Sequence, residues 1–137
     1  MCKIEYRVSG DDVNDFMVME THAYYAYSLR HIYNFLNELG YSRLKLNKLK
    51  ICLNEQRSDI EIFRPLMFGN EFIIELRVQR LNYNLGYFEI TCSYFNSRYQ
   101  RCAIVKSQCK IQRMDRNEMD NGVSRKIIDQ IQIFADW

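Results

Sequence analysis

Apolar and polar residues alternate over residues 2–8, with Cys2, Ile4, Tyr6 and Val8 on one parity and Lys3, Glu5 and Arg7 on the other. A period of two marks a strand with one buried face. The next stretch, Ser9-Gly10-Asp11-Asp12-Val13-Asn14-Asp15, is built of turn-forming residues. The period then changes to helical. Ala23, Tyr24, Tyr27, Leu29, Ile32, Phe35, Leu36 and Leu39 share a face. Thr21 is the predicted N-cap, and Gly40 the glycine just past the helix end. Tyr25, Ala26 and Tyr33 widen the apolar surface, so this helix needs cover on several sides.

A basic loop is expected over 41–50, followed by four strand-like segments. In 51–64 the apolar parity switches from Ile51 and Leu53 to Ile60 and Ile62. A strand can do that only through a bulge or bend, predicted near Glu55–Ser58. Pro65 to Asn70 reads as a turn. Phe72, Ile74, Leu76 and Val78 then alternate, as do Phe88, Ile90, Cys92 and Tyr94 after a turn at 82–86. Ala103, Val105, Cys109 and Ile111 follow the turn at 96–100. Such short connections favour antiparallel hairpins. Ile127, Ile128, Ile131 and Phe134 predict a closing amphipathic helix over 124–134. The order is strand, long apolar helix, four antiparallel strands and short helix, an α+β domain expected to span 1–137.

Composition narrows the class. Hydrophobic residues at 47% against 26% charged argue for a folded chain rather than a disordered one. No apolar run approaches the roughly 20 residues needed to cross a bilayer, and no secretory leader pattern opens the sequence. A cytoplasmic protein without membrane attachment is expected. The five Cys form no CxxC pair and no Cys/His ligand spacing, so reduced thiols are expected rather than disulfides or zinc. The Asp11–Asp15 run lacks the glycine and bidentate Glu of a calcium loop. No metal and no cofactor are expected. A net charge of +2 is too small for a nucleic-acid partner. The cluster Arg43, Lys45, Lys48 and Lys50 is either a solvated face or a landing site for a phosphorylated ligand.

Two architectures share this element order, the hotdog fold and the cystatin-like roll. Two motifs separate them. Asp12-Val13-Asn14-Asp15-Phe16-Met17-Val18, followed by a helix ending Phe35-Leu36-Asn37-Glu38-Leu39-Gly40, resembles the signature of 4-hydroxybenzoyl-CoA thioesterase-like proteins. Their pattern runs D-x-D-x-x-G-x-V, with an F-L-x-x-L-G helix end. Ile60-Glu61-Ile62-Phe63-Arg64-Pro65-Leu66-Met67-Phe68-Gly69-Asn70-Glu71 is similar to the family's I-x-Y-x-R-P-L-x-x-G-D-E. The resemblance covers Tyr6 to about Arg113. It implies a hotdog fold, with a long central helix wrapped by a curved antiparallel sheet of about five strands. It also implies a homodimer or homotetramer with its active site between subunits. The expected reaction is hydrolysis of an acyl-CoA or acyl-carrier-protein thioester. The resemblance further implies that an acidic residue before the helix acts on the thioester and that amides at the helix start, near Thr21, hold the oxyanion.

The chain departs from the pattern at the chemistry. Asn14 stands where the family carries its catalytic Asp, and Met17 where it carries Gly. A polyketide-associated branch also has Asn there, with an Arg in the following helix, comparable to Arg30. An amide cannot take a proton from water, but Asn14 can orient one. Asp12, Asp15 and Glu20 are the carboxylates that can replace the missing base, or else solvated acids of a turn and a helix start. Glu20 is preferred, beside the expected oxyanion donors. Catalytic candidates are thus Asn14, Glu20, Thr21 and Asp12. His22, Tyr24, Arg30 and Met17 are candidates for contacting substrate, against capping, core, surface and loop roles respectively. His31 is expected to pack or face solvent. The alternatives are a hotdog that binds acyl thioesters without turnover, or a dehydratase using His22 with Asp12 or Glu20.

Overall fold

The computed structural model describes residues 4–82, 87–114, 123–133 and 135–136. Cys2 and Lys3 of the first predicted strand, residues 83–86 of the predicted turn and Phe134 of the last helix lie outside them. Strand β1 spans Glu5–Arg7, and a single 3-10 turn follows at Gly10–Asp12. Helix α1 is Thr21–Glu38 and helix α2 Arg43–Lys48. Strands β2 (Ile51–Ile62), β3 (Glu71–Asn82), β4 (Tyr87–Asn96) and β5 (Arg101–Arg113) come next. Helix α3 (Val123–Gln132) and a two-residue strand β6 (Ala135–Asp136) complete the order.

The main strands form one antiparallel sheet in the order β1-β3-β4-β5-β2, with β6 added parallel to β3. Its inner face carries the alternation read from the sequence: Phe72, Ile74, Leu76 and Val78 on β3, and Phe88, Ile90, Cys92 and Tyr94 on β4, all buried. Helix α1 lies over β3 and β5 and buries Tyr24, Ile32, Phe35 and Leu36. The result is the hotdog arrangement, a long helix held in the hollow of a curved sheet.

Two boundaries differ from expectation. Glu20, not Thr21, occupies the N-cap, and Thr21 is the first helical residue. Residues 41–50 are not a plain loop, because Ser42 caps a short helix by accepting from the Lys45 amide at 3.1 Å. Six helical residues are too few to show a clear period, so the basic side chains hid this turn. At the other end of α1, Gly40 takes a φ of +96°, and the Tyr41 amide returns to the Leu36 carbonyl at 2.9 Å. That is the left-handed helix stop for which glycine is suited.

The switch of parity in β2 is a bulge. Its register against β5 shifts between Glu55 and Arg57. Before it, Ile51 and Leu53 face inward and are buried; after it, Ser58, Ile60 and Ile62 take over the inner parity and are only half-covered or exposed.

Candidate functional site

The segment entering α1 folds back on itself as a narrow hairpin. Val13 pairs with Met19, the Asn14 amide donates to the Val18 carbonyl at 2.9 Å, and the Glu20 amide donates to the Asp12 carbonyl at 2.9 Å. Its tip is held by Asn14, whose Oδ1 accepts from the Phe16 and Val18 amides at 2.9 and 3.1 Å. Asn14 therefore builds the turn as an Asx motif does. Met17 sits at this tip with a φ of +64°. The glycine of the family pattern thus falls on a left-handed position, and Met17 takes up that backbone with its side chain exposed.

The hairpin is stapled to the Pro65–Asn70 turn. Met19 donates to the Leu66 carbonyl and Phe68 to the Met17 carbonyl, both at 2.9 Å. Val8 is tied to the same turn by two bonds: its amide donates to the Asn70 carbonyl and its carbonyl accepts from the Gly69 amide, each at 3.0 Å. The two sequence motifs are therefore two halves of one backbone junction at the entry to α1.

Tyr24 is fully buried, and its hydroxyl accepts from the Leu66 amide at 3.2 Å. Its ring meets Tyr94 edge-on, with centroids 5.3 Å apart. This side chain positions the turn. Asp12 is occupied too. It accepts from the Ser9 amide at 2.9 Å and from the Tyr27 hydroxyl at 2.6 Å. Burial pushes the Asp12 carboxyl up, but the bonds from Tyr27 and Ser9 outweigh it and hold the group below its ordinary range. Burial and the Asp12 bond together push the Tyr27 phenol up to about 12. Arg30 lies over the Tyr27 ring, 5.0 Å from its centroid. Asp12, Tyr27 and Arg30 thus form one structural cluster along the first three turns of α1.

The groups left at the helix entry are Glu20, Thr21 and His22. The Glu20 carbonyl accepts from Ala23 at 3.0 Å and Tyr24 at 3.4 Å. Among the described residues, the Thr21 and His22 amides have no protein acceptor. These are the donors a helix start leaves open, on the positive end of its dipole. Beside them, Glu20 Oε2 lies 3.2 Å from His22 Nδ1, with both side chains partly exposed. A neutral imidazole donating Nδ1–H to this carboxylate keeps its basic lone pair on Nε2. Asn14 lies two residue pairs farther out along the hairpin, about 7 Å at ~3.4 Å per residue. Carboxylate, imidazole and free amides meet at the helix start, and Asn14 and Asp12 serve the loop that presents them.

A second polar group escaped the reading of the sequence. At the bulge, Glu55 Oε1 accepts from the hydroxyls of Ser58 and Ser107, the latter at 2.9 Å. Its signal was the parity switch itself, which puts Glu55 and Ser58 both on the inner face.

The architecture defines a class first: a hotdog-fold domain. Similarity to solved structures then agrees. The chain superposes on a gentisyl-coenzyme A thioesterase, BH1999, with a TM-score of 0.81 at 17% identity, covering 91% of this chain and 99% of that one. It superposes on the DHNA-CoA thioesterase of Staphylococcus aureus with a TM-score of 0.83 at 11% identity, covering 96% and 90%. The protein SAV2348 of Staphylococcus aureus, solved in complex with CoA, gives 0.83 at 12% identity, covering 98% and 85%. No protein-family model and no curated protein matches the chain. Among the described residues, no helix is long and apolar enough to cross a membrane.

Proposed function

We propose that this chain hydrolyses acyl thioesters of coenzyme A, with Glu20 and His22 as the base pair and the Thr21 and His22 amides as the oxyanion site. The observation that carries this reading is the meeting of a carboxylate–imidazole pair with two open helix amides. His22 Nε2 takes a proton from water, and Glu20 orients the ring and stabilises the imidazolium. The resulting hydroxide attacks the thioester carbon. The amides hold the negative oxygen, where each well-placed donor is worth about 10²–10³ in rate. Collapse breaks the C–S bond, and the thiolate leaves with the proton held by His22. The products are a carboxylic acid and free thiol.

Coenzyme A is favoured as carrier because the fold neighbours named above act on or bind CoA compounds. The basic side chains of α2, Arg43, Lys45 and Lys48, add positive charge that suits the phosphates of CoA or of a carrier-protein arm. The functional unit is a homo-oligomer. Strand β2 ends the sheet, and a long open edge invites pairing with a second copy.

The test is thiol release from a panel of acyl-CoA thioesters. Glu20→Gln is expected to lower kcat by about 10²–10⁴ with little change in melting temperature. Absence of thiol release across the panel contradicts hydrolysis. Conversion to an enoyl thioester with the thioester bond kept identifies a dehydratase instead.

A further inference from the structure

A cavity of about 130 Å³ opens between helices α1 and α2 and the first residues of β2. Its apolar walls are Leu46, Ile51, Leu53 and Met114. Leu46, Ile51 and Leu53 are buried in the core, so the packing that makes these walls also anchors α2. Met114 closes one side and is held by its amide, which donates to the Lys50 carbonyl at 2.9 Å. Tyr33, Arg43 and Asn47 supply polar groups to the lining. The cavity lies apart from the α1 entry. Tyr33 follows Thr21 by twelve residues of α1, about 18 Å at ~1.5 Å of rise per residue.

Arg43 decides what the cavity can hold. Its guanidinium carbon lies 4.0 Å from the centroid of the Tyr33 ring. Such stacking fixes the plane of the group through its face and leaves the N–H donors at its edge unused. Among the described residues, no carboxylate lies within ion-pair distance of Arg43 and no acceptor takes a hydrogen bond from it. The Tyr33 hydroxyl likewise has no protein partner among them. Residues 41–50 contain no Asp or Glu, and Lys45, Lys48 and Lys50 add to the charge of Arg43. Glu55 acts electrostatically on Tyr33 but does not line the cavity. A fixed cationic fork therefore stands beside apolar walls, with no anion of the protein to meet it.

Size and shape narrow the ligand. An apolar cavity of about 150 Å³ accepts benzene, so this one takes a body of about one ring. The planar edge of a guanidinium matches a carboxylate through two parallel hydrogen bonds. We propose that this cavity is a binding site for a small aromatic carboxylate, with the ring among Leu46, Ile51 and Leu53 and the carboxylate on Arg43. The site requires no turnover at the α1 entry and stands apart from the thioesterase reading.

The test titrates the isotope-labelled full chain with benzoate, benzamide and inorganic phosphate at neutral pH and constant ionic strength, following amide NMR shifts. Benzoate is expected to shift the amides of Leu46, Asn47 and Cys52 saturably, with a Kd of about 1 mM or tighter. Benzamide has the same shape without the charge, and is expected to bind about 10- to 100-fold more weakly. Phosphate has the charge without the apolar body, and should be weaker by about tenfold or more. Arg43 is an exposed side chain, so Arg43→Gln should keep the melting temperature and lose the benzoate shifts. Arg43→Lys keeps the charge but not the planar fork, and should weaken benzoate binding by about tenfold. Absence of a saturable shift overturns the proposal, as does benzoate binding retained in Arg43→Gln. Benzamide or phosphate binding as well as benzoate also overturns it. Shifts confined to Thr21 and His22 would place the carboxylate at the helix entry instead, and reject the cavity.

Discussion

Asn14 and Met17 show how single residues divide between holding a loop and doing chemistry. The Asn14 side-chain Oδ1 is already bonded to two backbone amides, so the side chain holds the turn. Met17 holds a φ of +64° with 54% of its surface exposed. A left-handed conformation costs an L-residue about 1–2 kcal/mol, partly offset by the entropy that glycine loses on folding. Met17→Gly is therefore expected to raise stability by about 0.5–1 kcal/mol in urea unfolding; a decrease would mean that the exposed side chain makes contacts this account does not include. His31 supplies a pH test. It is 1% exposed, and its Nδ1 lies 2.9 Å from the Tyr6 hydroxyl. Burial lowers its pKa below the ordinary 6.5, against an opposing pull from Glu38. Below pH 6.5 the unfolded chain binds a proton that the folded chain resists, so stability falls as pH drops through that value, by at most about 1.4 kcal/mol per pH unit. Melting curves between pH 7.5 and pH 5.5 (on the order of one unit either side of the unperturbed value) should show this slope. His31→Gln should flatten it, and an equal slope in the variant would assign the effect elsewhere.

At the scale of elements, the long helix and the strands were legible because their buried faces repeat over many residues. The bulge was legible for the same reason, since a change of parity between Leu53 and Ile60 has few physical causes. Helix α2 was not legible, because six residues rich in Arg and Lys give no face to recognise. Thr21 is a good capping type, but the backbone bond from the Glu20 amide to the Asp12 carbonyl fixes the entry one residue earlier. Gly40 offers a clean test of how α1 ends. A Cβ there would meet nothing within 4 Å, so Gly40→Ala probes the backbone alone. It is expected to cost about 1–2 kcal/mol, measured by thermal or urea unfolding. A neutral effect would show that the φ of +96° is not required for the chain to leave the helix.

For the whole molecule, the hairpin before α1 and the Pro65–Asn70 turn, some 50 residues apart in sequence, form one junction that presents the helix entry. Both motifs were visible in the sequence, but their bonding to each other was not, because it runs through backbone groups of Met17, Met19, Leu66 and Phe68. Residue types alone also could not divide the acidic groups. Asp12 and Glu20 have the same charge, yet one is bonded to Tyr27 and Ser9 while the other faces His22 beside open amides. That division is the central claim, and one crossed comparison tests it: thiol-release kinetics of Glu20→Gln and Asn14→Ala, each normalised to folded protein. Glu20→Gln is expected to keep wild-type stability and to lose about 10²–10⁴ in kcat. Asn14→Ala should lose about 1 kcal/mol of stability and keep kcat within a few-fold of wild type. The reverse pattern, with activity lost at Asn14 and retained at Glu20, would contradict it.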